Sequence, residues 1–74
     1  MSITPFLRDR GFDPEIIDNM SIAFERVCDM MGLTTKRDPA TELVARKVIE
    51  YAQRGIRDAA MLIEAVKEDF ELGQ

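Results

Sequence analysis

Two kinds of side chain in this sequence could do chemistry: a lone thiol, Cys28, and fourteen carboxylates. Histidine, the commonest general acid or base, is absent. A thiol becomes a nucleophile when a neighbouring base or cation favours its thiolate. Cys28 falls instead at the edge of an apolar helical stripe, where the expected role is that of a small buried hydrophobe. Asp13, Glu15 and Asp18 are spaced somewhat like the start of a calcium loop, but the loop glycine and the terminal bidentate glutamate are missing. They are better read as the opening of a helix. One cysteine makes no internal disulfide, and without histidine no zinc site of the usual Cys/His kind assembles. The four glycines stand apart and build no phosphate loop. The expectation is a chain that is not an enzyme, with no catalytic residues, no cofactor and no metal.

Charge is the next source of function. The net charge of −4 is distributed in blocks. Between Asp13 and Met31, five acids face Arg26 alone. Between Gly32 and Arg57, six bases face Asp38, Glu42 and Glu50. From Asp58 onward, five acids face Lys67. A basic middle between acidic flanks suggests outer helices packing on a central one, although ordinary solvated faces give the same pattern. The six bases, Lys36, Arg37, Arg46, Lys47, Arg54 and Arg57, are a candidate patch for nucleic acid. A helix-turn-helix drawn from Val44 to Val66 would use the last helix as reader, yet that helix carries Glu64, Glu68, Asp69 and Glu71. Phosphate contacts need the opposite sign, so nucleic acid is the second-ranked partner.

The elements that must position these residues are helical. Gly11-Phe12-Asp13-Pro14, Gly32-Leu33 followed by Asp38-Pro39, and Gly55-Ile56-Arg57-Asp58 share one grammar. A glycine takes the left-handed position that ends a helix, and the next apolar residue packs back on the last turn. An aspartate then caps the following helix, twice with proline at the first helical position. These signals predict helices over about 5–10, 14–31, 39–54 and 59–71. No segment alternates with period two for long enough to form a strand. The fold class expected is all-α: a compact bundle of three main helices with a short N-terminal helical turn, in a single domain over 1–74.

Helical wheels assign the core. Ile16, Ile17, Met20, Ala23, Phe24, Val27, Cys28 and Met31 fill one arc of the second helix. Ala40, Val44, Ala45, Val48, Ile49, Tyr51 and Ala52 cover about half of the third, which makes it the central helix. Its polar face offers Glu42–Arg46 and Glu50–Arg54 as favourable i,i+4 pairs. The fourth helix buries Ala59, Leu62, Ile63, Val66 and Phe70, and the lead-in buries Ile3, Phe6 and Leu7. Glu68, Asp69 and Glu71 lie where the helix dipole disfavours anions. Fraying of that end is expected, the alternative being contact with Arg46, Lys47 or Arg54.

Some apolar residues are left outside these stripes. Ile22 projects from the polar face of the second helix, and Met61, Ala65 and Leu72 form a second row on the fourth. A chain of 74 residues buries only about 60% of its unfolded surface, so pairing would supply burial that one copy lacks. Ile22, Met61, Ala65 and Leu72 are therefore the candidate partner surface, with adaptable methionines at Met20, Met30, Met31 and Met61. The expected function is a protein-interaction module of adaptor or regulatory kind that self-associates as a homo-oligomer. With no signal-peptide pattern and no spanning apolar run, the expected setting is the cytoplasm, away from membranes.

The segment Asp38-Pro-Ala-Thr-Glu-Leu-Val-Ala-Arg-Lys-Val-Ile-Glu-Tyr-Ala52 resembles short uncharacterised helical proteins of alphaproteobacteria. Phe6-Leu7-Arg8-Asp9-Arg10-Gly11-Phe12-Asp13-Pro14 and Arg54-Gly55-Ile56-Arg57-Asp58 extend the resemblance over about residues 6–66. It implies a bacterial cytosolic protein of regulatory or adaptor type, and it supplies no activity and no site residues.

Overall fold

Where each helix begins and ends follows from a few capping contacts. The computed structural model describes residues 3–7, 11–34 and 38–71. Within these run α1 (Thr4–Leu7), α2 (Pro14–Met31), α3 (Pro39–Gln53) and α4 (Ala59–Asp69), with no strand among the described residues. Asp38 accepts from the Ala40 N–H at 2.9 Å, and Asp58 from the Ala60 and Met61 N–H groups at 2.8 and 3.3 Å. Each thereby satisfies donors that the first helical turn cannot. Asp13 differs from expectation. Its backbone is extended as a cap requires, but its carboxylate bonds none of the helix N–H groups.

Two helices end as the glycine grammar predicts. Gly32 has φ 73° and Gly55 has φ 104°. In each case the glycine N–H bonds back three residues, to Asp29 or Ala52, and the next residue's N–H bonds back five, Leu33 to Cys28 and Ile56 to Tyr51. Leu33 and Ile56 then pack against the core, which completes the motif at both ends. Gly11 is an exception, since its φ lies outside the left-handed range. The helix bounds shift accordingly. α1 starts one residue earlier than expected, and its expected end over 8–10 lies outside the described residues. α3 ends at Gln53, and α4 ends at Asp69.

The buried apolar side chains form one cluster fed by all four helices. From α2 come Met20, Ala23, Phe24, Val27 and Cys28; from α3 Val44, Ala45, Val48, Ile49 and Ala52; from α4 Leu62 and Val66; from the lead-in Ile3 and Leu7. Ile16, Ile17, Met31, Tyr51, Ile63 and Phe70, assigned to the core stripes from periodicity, border this cluster half-buried. Burying a large apolar side chain completely, as at Phe24 or Leu62, stabilises the fold by about 1.5–3 kcal/mol. α1 has only four residues, too few to hold a helix alone. It stays in place because Phe6 tilts against Phe24, ring centroids 5.6 Å apart, a geometry that adds about 0.5–1.5 kcal/mol.

α3 packs on α1, α2 and α4, and α2 likewise meets α3, α4 and, through Phe24, α1, so the three long helices pack mutually and α3 is not set apart as the central one. Thr41 was not among its expected core positions, yet it is fully buried. Short hydroxyl-bearing side chains enter a helical core when their oxygen finds a partner, and no buried side-chain polar atom among the described residues lacks one. Among the described residues no helix is long and apolar enough to cross a membrane.

Candidate functional site

Cys28 is buried, with 1% of its surface exposed. Burial pushes its thiol up to about 11, and the carboxylates of Asp29 and Glu25 push in the same direction. Those acids also line a recess of about 250 Å³ beside it, together with Leu33 and Thr34. An activated thiol needs a cation or a base there; this one is held protonated. Among the described residues no three His, Cys, Asp or Glu side chains converge as metal ligands.

Three bases of the candidate patch, Arg46, Lys47 and Arg54, have specific side-chain partners. Arg46 meets Glu42 at 3.8 Å, one of the two i,i+4 pairs expected. The other does not form. Glu50 turns to Lys47 at 3.5 Å, and Arg54 lies over the Tyr51 ring at 5.4 Å from its centroid. Arg57 is exposed, and its carbonyl accepts from the Asn19 amide at 3.0 Å, tying α2 to the turn before α4. Lys36 and Arg37 lie outside the described residues.

At the end of α4 the contact expected as the alternative to fraying is made, and the helix stops at Asp69, short of the expected 71. Asp69 sits 3.2 Å from Lys47 Nζ, with the Tyr51 hydroxyl close enough to favour its ionised form. That hydroxyl and then the Lys47 contact hold the Asp69 carboxyl below the usual carboxylate range. Hydrogen bonding to Asp69, and then its negative charge, in turn raise the pKa values of Lys47 and Tyr51. The helix dipole would disfavour Asp69 at this position, but a cation and a hydroxyl from α3 outweigh it at contact distance.

This latch also orients the second apolar row. Met61, Ala65 and Asp69 are spaced i, i+4, i+8, so they share one flank of α4. At one end of that flank Asp69 reaches α3 at Lys47. Met61 is 61% exposed and Ala65 is half-buried. Leu72, the third member of the expected row, lies outside the described residues. Ile22 is not brought to this surface. It is 50% exposed on the face of α2 opposite buried Met20, Phe24 and Val27, among Asp18, Glu25, Arg26 and Asp29.

Two surface features were not anticipated. Leu43 is 48% exposed on α3, whereas of the methionines expected to adapt to a partner Met30 is exposed and Met20 is fully buried in the core. Pro39, Arg46, Lys47 and Glu50 surround Leu43 at helical spacing, which is the signal that places it outside the core. A groove of about 490 Å³ lies between α1 and α3, with Phe6 and Ile49 at its floor and Glu42, Arg46, Glu50 and Gln53 along one wall. It depends on how α1 folds back, which periodicity alone does not encode.

Compared with protein-family models, curated proteins and solved structures, the chain matches none of them.

Proposed function

We propose that this chain is a small, non-catalytic protein-contact module, with the Met61–Ala65 flank of α4 as its docking surface. The observation that carries this reading is the 61% exposure of Met61, in a row whose far end is anchored to α3 by Asp69. An exposed apolar side chain on a frayed helix would present no defined shape; the latch gives this one a rigid base. Methionine suits a contact surface because its unbranched thioether adapts to what it meets. The small size of the chain works in the same direction, since a partner adds burial that 74 residues cannot provide alone. Of the described bases that would serve a nucleic acid, Arg46 and Lys47 stand beside acids and Arg54 on the Tyr51 ring, which leaves Arg57 as the one described base of the set free to meet a phosphate. Taken with the sequence resemblance, the reading is of a cytosolic bacterial adaptor or regulator.

The test is a photo-crosslinking residue placed at position 61 in the cell that makes the protein, with position 15 on the outer face of α2 as control. A discrete adduct at 61 and none at 15 supports the reading. No adduct at 61, or the same smear at both positions, overturns it.

A further inference from the structure

The outer row of α4 has a charge polarity as well as an apolar centre. Arg57 precedes the helix, Met61 and Ala65 occupy its middle, and Glu68 stands near its end, with Arg57 and Glu68 both exposed. The neighbouring charges are already engaged: Lys67 with Glu64 at 3.3 Å, and Lys47 with Asp69 at 3.2 Å. Arg57 and Glu68 form no ion pair with any described residue. Among the described residues the row therefore offers an unmatched cation at one end and an unmatched anion at the other.

We propose that the occupant of this surface is a second copy of the chain, docked antiparallel along α4 with Met61 of each copy over Ala65 of the other. The inference rests on the docking surface assigned above and names its partner. Pairing 61 with 65 places residue 58 opposite residue 68, so Arg57 of each copy lies alongside Glu68 of its neighbour. Two-fold symmetry makes this contact occur twice. A parallel arrangement would set Arg57 on Arg57 and Glu68 on Glu68, two like-charge clashes, so the charge polarity selects the antiparallel one. Ala65 has no side chain beyond Cβ, which lets the neighbouring Met61 approach the helix closely. Eleven residues of helix run only about 16 Å. With a helix diameter of about 10–12 Å the footprint is on the order of 200 Å², well below the roughly 800 Å² per partner of a stable complex, so the dimer belongs to the weak, transient class.

The experiment is sedimentation equilibrium of the full chain from about 10 µM to about 1 mM, a range set by that weak class. The wild type should move from its monomer mass of 8.4 kDa towards twice that value. Arg57→Glu and Glu68→Arg each turn two attractions into two repulsions, and each should weaken self-association by about tenfold. Mixing the two variants re-creates both opposite-charge pairs, so the mixture should associate about as well as the wild type. Both sites are exposed, and circular dichroism of each variant verifies that its helix content is unchanged. A wild type that stays monomeric to the top of the range overturns the inference. So does a mixture that associates no better than the variants alone. The crosslinking result separates this failure from the broader one. A position-61 adduct with a different protein, alongside a monomeric wild type, keeps the docking surface and removes the self-pairing.

Discussion

The Asp69 carboxylate lies 3.2 Å from the Lys47 ammonium, and this contact joins the last turn of α4 to the middle of α3. With the Tyr51 hydroxyl it forms a three-member latch whose ionisation states are coupled to folding. Asp69 has a depressed pKa, so its contribution is present above the unfolded value of about 3.9 and is lost as pH falls through the folded value. Lys47 and Tyr51 have raised pKa values. Their contributions are present below about pH 10 and are lost as pH rises through the folded values. The latch is therefore closed across the whole neutral range. Lys47→Ala should return the Asp69 titration, followed by carboxyl NMR, towards the ordinary range and speed amide exchange in the last turn of α4. An unmoved Asp69 midpoint would show that the latch does not form in solution.

Glu71 is the one described non-glycine residue with positive φ, at 56°. It ends α4 in the left-handed conformation that Gly32 and Gly55 adopt at the ends of α2 and α3. A Cβ makes that conformation costly, by about 1 kcal/mol relative to glycine. Glu71→Gly should raise the melting temperature by about 4–8 °C for a domain of this size. Glu71→Gln, which removes the charge and keeps the strain, should recover only part of that gain. Calorimetry showing equal shifts for both variants would assign the whole effect to charge.

Much of this architecture could be read from single residues. Pro14, Pro39, Gly32, Gly55 and the aspartates before the helices act locally, through φ preference and nearby N–H groups, so local sequence was enough to place α2, α3 and α4. The exposure of Ile22 and Met61 was legible for the same reason: helical spacing alone sets them outside the buried arcs. The partners of Asp69 and Glu50 were not legible. Lys47 lies 22 residues from Asp69, and which of several bases it meets depends on how α3 and α4 pack. Dipole reasoning favoured fraying over contact with Arg46, Lys47 or Arg54 because only the packing of α3 on α4 brings one of those bases to Asp69. The silence of the Asp13 carboxylate has a similar origin, since its residue type fits a cap and only geometry shows that no bond is made.

Asp13 and Asp38 make a matched pair for testing caps, because each precedes a proline at the start of a long helix. Asp38 accepts from Ala40 at 2.9 Å, so Asp38→Ala should cost about 0.5–2 kcal/mol. Asp13→Ala breaks no such bond and should cost clearly less. Urea titrations of the two variants give the comparison directly. Equal losses would mean that charge near the helix start, and not the hydrogen bond, carries the effect at both ends.

Phe24 is fully buried and is the residue against which α1 is seated. Phe24→Ala should cost about 3–5 kcal/mol, which approaches the whole stability of a small domain. Phe6→Ala removes the same ring pair from the other side while leaving the α2–α3–α4 core filled, so it should cost less and leave the helical circular dichroism signal nearly intact. If Phe6→Ala unfolded the chain as completely as Phe24→Ala, the lead-in would be as integral to the fold as the three long helices.

Cys28 gives the sharpest check on the non-catalytic reading. Its thiol is buried and pushed up to about 11, with Glu25 and Asp29 adding to the effect of burial. An ordinary cysteine, with a pKa of about 8.5, is roughly a quarter thiolate at pH 8. Cys28 would be about one part in a thousand, before its inaccessibility is counted. Because the folded pKa is raised, the stabilising preference for the thiol is present below about pH 8.5 and fades as pH rises through about 11. A disulfide-exchange reagent at pH 8 should therefore label the native chain at least about 100-fold more slowly than the urea-unfolded chain. Adding urea below the unfolding midpoint should speed labelling in step with the population of opened molecules. Rapid stoichiometric labelling of the native chain would instead reveal an accessible thiolate, and Cys28 would return as a candidate nucleophile.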